Sequence, residues 1–285
     1  MLLLENVRFY PEETKNDPAF AKKLSLLGDY YVNDAFGSAH RAHASTEGVT
    51  KYLPSVAGFL LEKEIKILGE AISKPKRPLT FIMGGKKVSD KIALIEGIIS
   101  IADTILIGGG MSYTFDKVLG GSIGNSVFDE ESVSKCIEFL EKAKAKLVLP
   151  VDKVIADGFS NDAHIQIVKA GEIPNGWEGL DIGPKTVELF AKYIEKSGTI
   201  IWNGPLGAYE MPNFANGTRA VAEHIVKSDA ISIVGGGDAA SAVTSMGFAD
   251  KITHISTGGG ASLEFLEGKQ LPGVVALMAK GVKIV

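Results

Sequence analysis

At 285 residues the chain is about two ordinary domains long, and its 45% hydrophobic, 22% charged and 8% aromatic content is that of a globular chain rather than a disordered, collagenous or disulfide-built one. The net charge of −4 excludes a global positive field for nucleic acid or an anionic membrane, so any phosphate binding has to be local. The longest stretch free of Asp, Glu, Lys and Arg, residues 197–209, is shorter than the roughly 20 residues of a membrane helix. Cys136 is the only cysteine, which leaves no intrachain disulfide or cysteine-based zinc site and points to a reducing, cytoplasmic compartment. Residues 1–5 lack the basic flank and apolar length of a signal peptide. Glycine is over-represented, 33 residues or about 12% against a usual ~7%, without a collagen-like period.

In chain order, strands are predicted at Leu2–Leu4 and Tyr30–Asn33, then a helix through Leu60–Ile72, with Pro75 and Pro78 marking a boundary. Six short apolar runs follow, at 79–83, 104–107, 147–149, 199–202, 230–234 and 252–255, nearly all leading into glycine- or proline-rich loops. Such runs, apolar on consecutive positions, suit strands covered on both faces. Between them, Asp129 is expected to cap a helix with Val133, Ile137 and Leu140 on its apolar face. Gly183-Pro184 opens another, striped with Val187, Phe190, Ala191 and Ile194. The fold class is therefore α/β: a doubly wound parallel-sheet C-terminal domain over 75–270, preceded by an incomplete α/β N-terminal domain (1–57) and a connecting helix (58–74). Residues 271–285 are expected to return toward the N-terminal part. In such sheets ligands bind at the carboxyl ends of the strands, where this chain keeps its glycines.

Gly235-Gly-Gly-Asp-Ala-Ala240 follows a strand and opens a helix, a backbone cradle for phosphate oxygens. Asp238 would repel a bare phosphate but suits a magnesium ion lying between carboxylate and phosphate. The alternative is a tight structural turn. The segment also fits the dinucleotide pattern G-x-G-x-x-A, yet no acidic ribose partner stands about 20 residues on, which disfavours an NAD-dependent oxidoreductase. In Gly84-Gly-Lys-Lys-Val-Ser-Asp-Lys91, Lys87 and Lys91 are four residues apart and could meet one polyphosphate from a single helical face; the bland reading is a solvated basic helix start. Gly108–Gly110 and Gly258–Gly260 repeat the glycine device, at even odds with plain turns. Glu210 is either an acceptor for sugar hydroxyls or a surface charge. Arg8 and Arg41, each just past a predicted strand, suit capture of carboxylate or phosphate, whereas His40 and His43 read better as structural residues. Cys136 reads as inert packing. Neither a His/Asp/Glu metal-ligand spacing nor a G-x-S-x-G elbow occurs.

Taken together and in this order, LLLENVRFYPEE, VNDAFGSAHRAHAS, GGKKVSDKI, GGGMSYTF, LPVD, GLDIGP, WNGPLGAYE, GGGDAASAV and STGGGASLEFLEGKQLPG resemble the phosphoglycerate kinase family across essentially the whole chain. The resemblance implies two α/β domains that close about a hinge, reversible phosphoryl transfer between 1,3-bisphosphoglycerate and ADP giving 3-phosphoglycerate and ATP, and Mg2+ bound with the nucleotide. It implies that Arg8 and Arg41 contact the phosphoglycerate. Gly85, Lys91, Gly109, Gly110, Gly183, Glu210, Gly236, Gly237, Asp238 and Ala239 would hold ATP or ADP, with Asp238 on the metal. Lys87, Lys91, Gly259 and Gly260 would lie near the phosphoryl in flight. The family is typically monomeric, with no nucleic-acid or membrane partner. Against the family pattern the chain begins late, without the leading substrate motifs and an arginine expected to bridge the phosphoryl group; Lys86 and Ala239 replace residues usual there. Two readings follow: a phosphoglycerate kinase, active as it stands or with the leading segment restored, or a catalytically deficient Mg-nucleotide-binding fragment of that enzyme, with turnover of the chain by itself expected at least ~10³-fold below that of a full-length enzyme. Unpaired strand edges at 2–4 and Val32 favour self-association.

Overall fold

The computed structural model describes residues 1–278, which form two compact units: residues 1–70 with the segment from Thr257 onward, and Ala71–Ser256.

The first unit is built from short elements. Asp17 accepts the Phe20 N–H at 2.8 Å and caps the helix Pro18–Ser25. The strand Tyr31–Asn33 pairs in parallel with Ser55–Ala57. Leu2–Leu4 is not a strand; among the described residues it has no neighbour to share a ladder with, and Leu3 is 91% exposed. The helix Phe59–Ser73 starts where Asp34 accepts the N–H groups of Leu60 (2.7 Å) and Leu61 (3.1 Å). Gly58 is required there, because a Cβ would overlap the Asp34 side chain. Replacing Asp34 by alanine is expected to cost about 1 kcal/mol, the usual worth of such a cap; a urea titration reads it as a lower midpoint at unchanged slope. Glu64, fully buried on this helix, accepts the Thr257 N–H at 2.7 Å and its hydroxyl at 2.8 Å. The helices Gly260–Leu266 and Pro272–Met278 complete the unit, with Leu266, Leu271, Val274 and Leu277 buried. The turn at Gly258–Gly260 thus belongs to the first unit, and the second stops at Ser256 rather than at 270. The expectation for 271–285 falls partly, from 279 on, outside the described residues.

The second unit is organised by a six-stranded parallel sheet. Across it the order is His254–Ile255, Ile231–Gly235, Thr199–Asn203, Leu79–Met83, Thr104–Ile107, Leu147–Val148. All five residues of Leu79–Met83 are buried. On one face Phe190 and Ile194 (helix Pro184–Ile194), Val221 and Ile225 (helix Asn216–Lys227) and Val243 (helix Gly237–Ser245) pack on Ile82, Leu106, Ile200, Trp202 and Val234. The alternate residues Phe81, Met83, Ile105, Ile107, Ile201 and Ile233 are buried too, as a parallel sheet requires. Each such side chain contributes about 1.5–3 kcal/mol of burial. The strand order reverses direction between Leu79–Met83 and Thr199–Asn203, and the crevice beyond that reversal is where such sheets bind ligands.

Two features depart from the sequence reading. The helix Val133–Ala143 buries Cys136, Phe139 and Ala143 and leaves Ile137 exposed, a stripe rotated from the expected one. Asp129 does not cap it by its side chain; the carboxylate instead accepts the Ser89 N–H (2.8 Å) and the Ser132 hydroxyl (2.9 Å). Cys136 is buried, its thiol pushed up to about 12 by burial and by Asp129, as inert packing requires. A three-stranded antiparallel sheet, Glu178–Ile182, Asp152–Ala156 and Ile165–Lys169, is an addition the apolar runs did not announce.

Candidate functional site

Three strand-to-loop transitions meet at the sheet's reversal. The Gly84 N–H donates to the Asn203 carbonyl (2.8 Å), and the Gly85 N–H to the Pro205 carbonyl (2.9 Å). The next loop joins them: Gly109 N–H donates to Leu206 O and Met111 N–H to Gly85 O, both at 3.1 Å. A Cβ on Gly84 would overlap the Pro205 carbonyl oxygen, and one on Gly109, whose φ is +62°, would lie 2.8 Å from Gly85 N. These glycines therefore let three backbones touch, and so build a flat floor without side chains.

Above this floor is a cavity of about 480 Å³, within the range of small-molecule sites. Gly85, Gly109 and Gly110 form its base; Tyr113, Val127, Phe159 and Leu180 supply apolar walls; Glu210 and Asp238 stand at its polar side. Phe159 and Leu180 come from the antiparallel addition and the loop beside it. Both carboxylates act on Tyr209, whose hydroxyl is pushed up first by burial and then by Glu210 and Asp238. Asp238 lies in the first turn of the nine-residue helix Gly237–Ser245, where N–H groups lack helical acceptors and favour anions.

Lys91 lies beside the floor. Its Cε is 3.7 Å from where a Gly85 Cβ would project, and its ammonium donates to the Asn203 Oδ1. Asn203, buried at the end of its strand, in turn donates to the Gly235 carbonyl at 2.7 Å. It thereby joins the lysine to the glycine loop before Asp238. Lys87 does not share a helical face with Lys91: it is exposed in the preceding loop, Ser89–Lys91 is a 3-10 turn, and the α-helix starts at Ile92. Its charge helps hold the Asp129 carboxyl below the usual range, though the Ser89 hydrogen bonds do more.

Of the residues singled out in the sequence, Gly85, Gly109, Gly110, Glu210 and Asp238 line one cavity. Gly236 and Gly237 adjoin Asp238 without lining it, and the Ala239 side chain is in the core. Gly183 is elsewhere: its N–H donates to Asp152 O at 3.0 Å, and a Cβ there would overlap the Asp152 carboxylate. Gly179, four residues earlier in the chain, lines the cavity. Asn203, Tyr113, Phe159, Gly179 and Leu180 went unassigned. Only Asn203, the first residue of the Asn-Gly-Pro loop after an apolar strand, carried a signal that could have marked it.

In the first unit, Arg41 Nε donates to His40 Nε2 at 3.2 Å, and His40 Nε2 is 3.4 Å from the Cβ position of Gly260. His43 is held below its ordinary pKa by burial, opposed by Glu13 and reinforced by Arg8, Arg41 and His40. These four residues thus form one basic cluster, in which Arg8 and Arg41 are exposed. His43 takes the structural part, its Nδ1 3.6 Å from buried Glu13, which also accepts the Ser45 N–H and hydroxyl.

Among the described residues no group of three or more His, Cys, Asp or Glu could by itself hold a metal. A single carboxylate in the first turn of a helix and lining the cavity, as Asp238 is, fits the chemistry of Mg2+, which commonly takes one or two carboxylates together with substrate phosphates and water.

The phosphoglycerate kinase family model matches residues 1–269. A phosphoglycerate kinase of Moorella thermoacetica is 55% identical over 283 residues, covering 98% of this chain and 72% of that protein. Among solved structures, phosphoglycerate kinase from Coxiella burnetii superposes with a TM-score of 0.92 at 42% identity, over 97% of this chain and 72% of that one. The enzyme from Pyrococcus horikoshii OT3 gives 0.85 at 33%, over 96% and 72%.

Proposed function

The chain belongs to the phosphoglycerate kinase family and is a phosphotransferase acting between 1,3-bisphosphoglycerate and ADP, and we propose that its two units divide that chemistry. The cavity over the glycine floor takes ADP or ATP, the base between the Gly109-Gly110 turn and Gly179-Leu180, and the ribose hydroxyls on Glu210. Lys91, oriented by Asn203, neutralises phosphate oxygens, and Lys87 joins it. The N–H groups of Gly236, Gly237 and Ala239 are donors to the same phosphates. Asp238 would hold Mg2+, which when bound supplies charge neutralisation to the polyphosphate. Arg8 and Arg41 bind the acid substrate, with the turn Gly259-Gly260 on the side of the transferred group.

In the reaction an ADP terminal phosphate oxygen bonds to the acyl phosphate phosphorus as the bond to the carboxylate oxygen breaks. Little covalent work falls to the protein, so positioning and charge stabilisation carry the catalysis. The observation supporting this reading is the convergence, at the reversal of strand order, of a side-chain-free floor, two carboxylates and a lysine held by Asn203. Among the described residues no helix is long and apolar enough to cross a membrane; a cytoplasmic location belongs to the same proposal, and the free Cys136 agrees with a reducing compartment.

The test is calorimetric titration of the chain with Mg-ADP alongside a coupled assay for ATP formation from 1,3-bisphosphoglycerate. Mg-ADP is expected to bind, and Glu210→Ala to weaken it about tenfold through loss of hydrogen bonds to a charged acceptor. Absence of Mg-ADP binding, or binding indifferent to Glu210, would overturn the assignment of the cavity.

A further inference from the structure

Behind the cavity wall lies a charged group the mechanism above does not use. Lys153, on the strand Asp152–Ala156, is fully buried. Its ammonium is 3.2 Å from Asp116 Oδ2, donates to Ser112 Oγ and stands 4.5 Å over the Tyr113 ring. The three partners sit on one helix, Met111–Val118, which begins directly after the Gly108–Gly110 turn. The Ser112 hydroxyl passes the contact on, donating to the Gly109 carbonyl at 2.6 Å. Gly179 approaches the same ring so closely that a Cβ there would overlap the Tyr113 side chain. Gly109, Tyr113 and Gly179 all line the cavity.

An ammonium has three donors, and here each meets a carboxylate, a hydroxyl or an aromatic face. Burial lowers the Lys153 pKa and raises that of Asp116, each opposed by the other's charge. A buried pair of this kind is a poor source of stability, since apolar residues of similar volume often do as well or better. What it supplies is a defined position for the groups it touches. We infer that Lys153, paired with Asp116, is a positioning residue for nucleotide binding: through Ser112 it sets the Gly109 carbonyl, and over Tyr113 it sets the ring that walls the base end of the cavity. The inference rests on the reading of that cavity as the nucleotide site.

The test removes both charges together, in Lys153→Met/Asp116→Leu, and separately breaks the relay with Ser112→Ala. Each protein is titrated with Mg-ADP and with 3-phosphoglycerate and melted thermally. The double variant is expected to melt near the parent temperature while its Mg-ADP Kd rises about tenfold, within the coupling range of one hydrogen-bonded network. Ser112→Ala is expected to move Mg-ADP affinity the same way by about threefold. The 3-phosphoglycerate Kd is expected to stay constant in both, a separation that general loosening of the fold would not produce. Parent-like Mg-ADP affinity in a folded double variant would overturn the inference. If the double variant does not fold, unchanged affinity in Ser112→Ala overturns it alone. Failure of the parent chain itself to bind Mg-ADP would instead remove the nucleotide reading beneath it, and is seen before any variant is compared.

Discussion

Replacing Lys91 by methionine is expected to lower kcat/KM for ATP formation by about 10²–10³-fold, the usual consequence of removing one preorganised charge that faces a transferred phosphoryl group. Methionine keeps most of the stem and its packing, so the change isolates the ammonium. The expectation is large because the lysine is held in place before substrate arrives. It leaves the 3-10 turn Ser89–Lys91 beside the Gly85 floor and donates to Asn203, which is itself fixed by the Gly235 carbonyl. A charge already in position needs no reorganisation as the polyphosphate charge develops. Mg-ATP affinity, measured by calorimetry, is expected to fall with it. A variant within threefold of the parent in both quantities would mean that Lys91 only braces the floor through Asn203.

The second large effect concerns stability rather than rate. Asp181 is buried on the strand Glu178–Ile182 and accepts the Ile182 N–H at 2.9 Å and the Gly217 N–H at 2.7 Å. Desolvation outweighs those two hydrogen bonds and pushes its pKa up to about 8. In the unfolded chain the same carboxyl loses its proton near pH 4. Between these values the folded state binds one proton more than the unfolded state, so stability falls as pH rises, by about 1.4 kcal/mol per unit and on the order of 5 kcal/mol in all. Urea unfolding at pH 5, 6, 7 and 8 is expected to show Asp181→Asn gaining steadily on the parent chain. The opposing slope from His43, whose pKa is lowered, is common to both proteins and cancels in the difference. Parallel profiles would show that the hydrogen bonds from Ile182 and Gly217 keep Asp181 ionised.

Much of the sheet was legible because its strands are buried on both faces. Leu79–Met83, Thr104–Ile107 and Thr199–Asn203 are mainly apolar, fully buried runs followed by Gly-Gly, Gly-Gly-Gly and Gly-Pro, a pattern that burial on both faces imposes. The strand Ile165–Lys169 lacks that mark, since most of it is exposed, and Asp152–Ala156 carries two charged residues inside the protein. The two pair with each other, Ala156 opposite Ile165, but neither has the buried apolar run that marked the strands of the parallel sheet. Leu2–Leu4 failed for the converse reason: a strand-like composition is not a strand without a neighbour to pair with.

The candidate site divides the same way. Local sequence put Gly85, Gly109, Gly110, Glu210 and Asp238 in loops after strands, at the edge where ligands bind; their part in nucleotide binding came from the resemblance carried by the order of nine motifs, and all five line one cavity. Only the tertiary structure decided that Asn203 holds Lys91, that Gly179 rather than Gly183 faces the cavity, that Lys87 and Lys91 do not share a helix face, and that Lys153 lies paired behind Tyr113. Motifs report what a backbone does within a few residues. Distances between side chains remote in sequence, and the burial that lets a lysine, an aspartate and a tyrosine share one pocket, arise only when the chain packs.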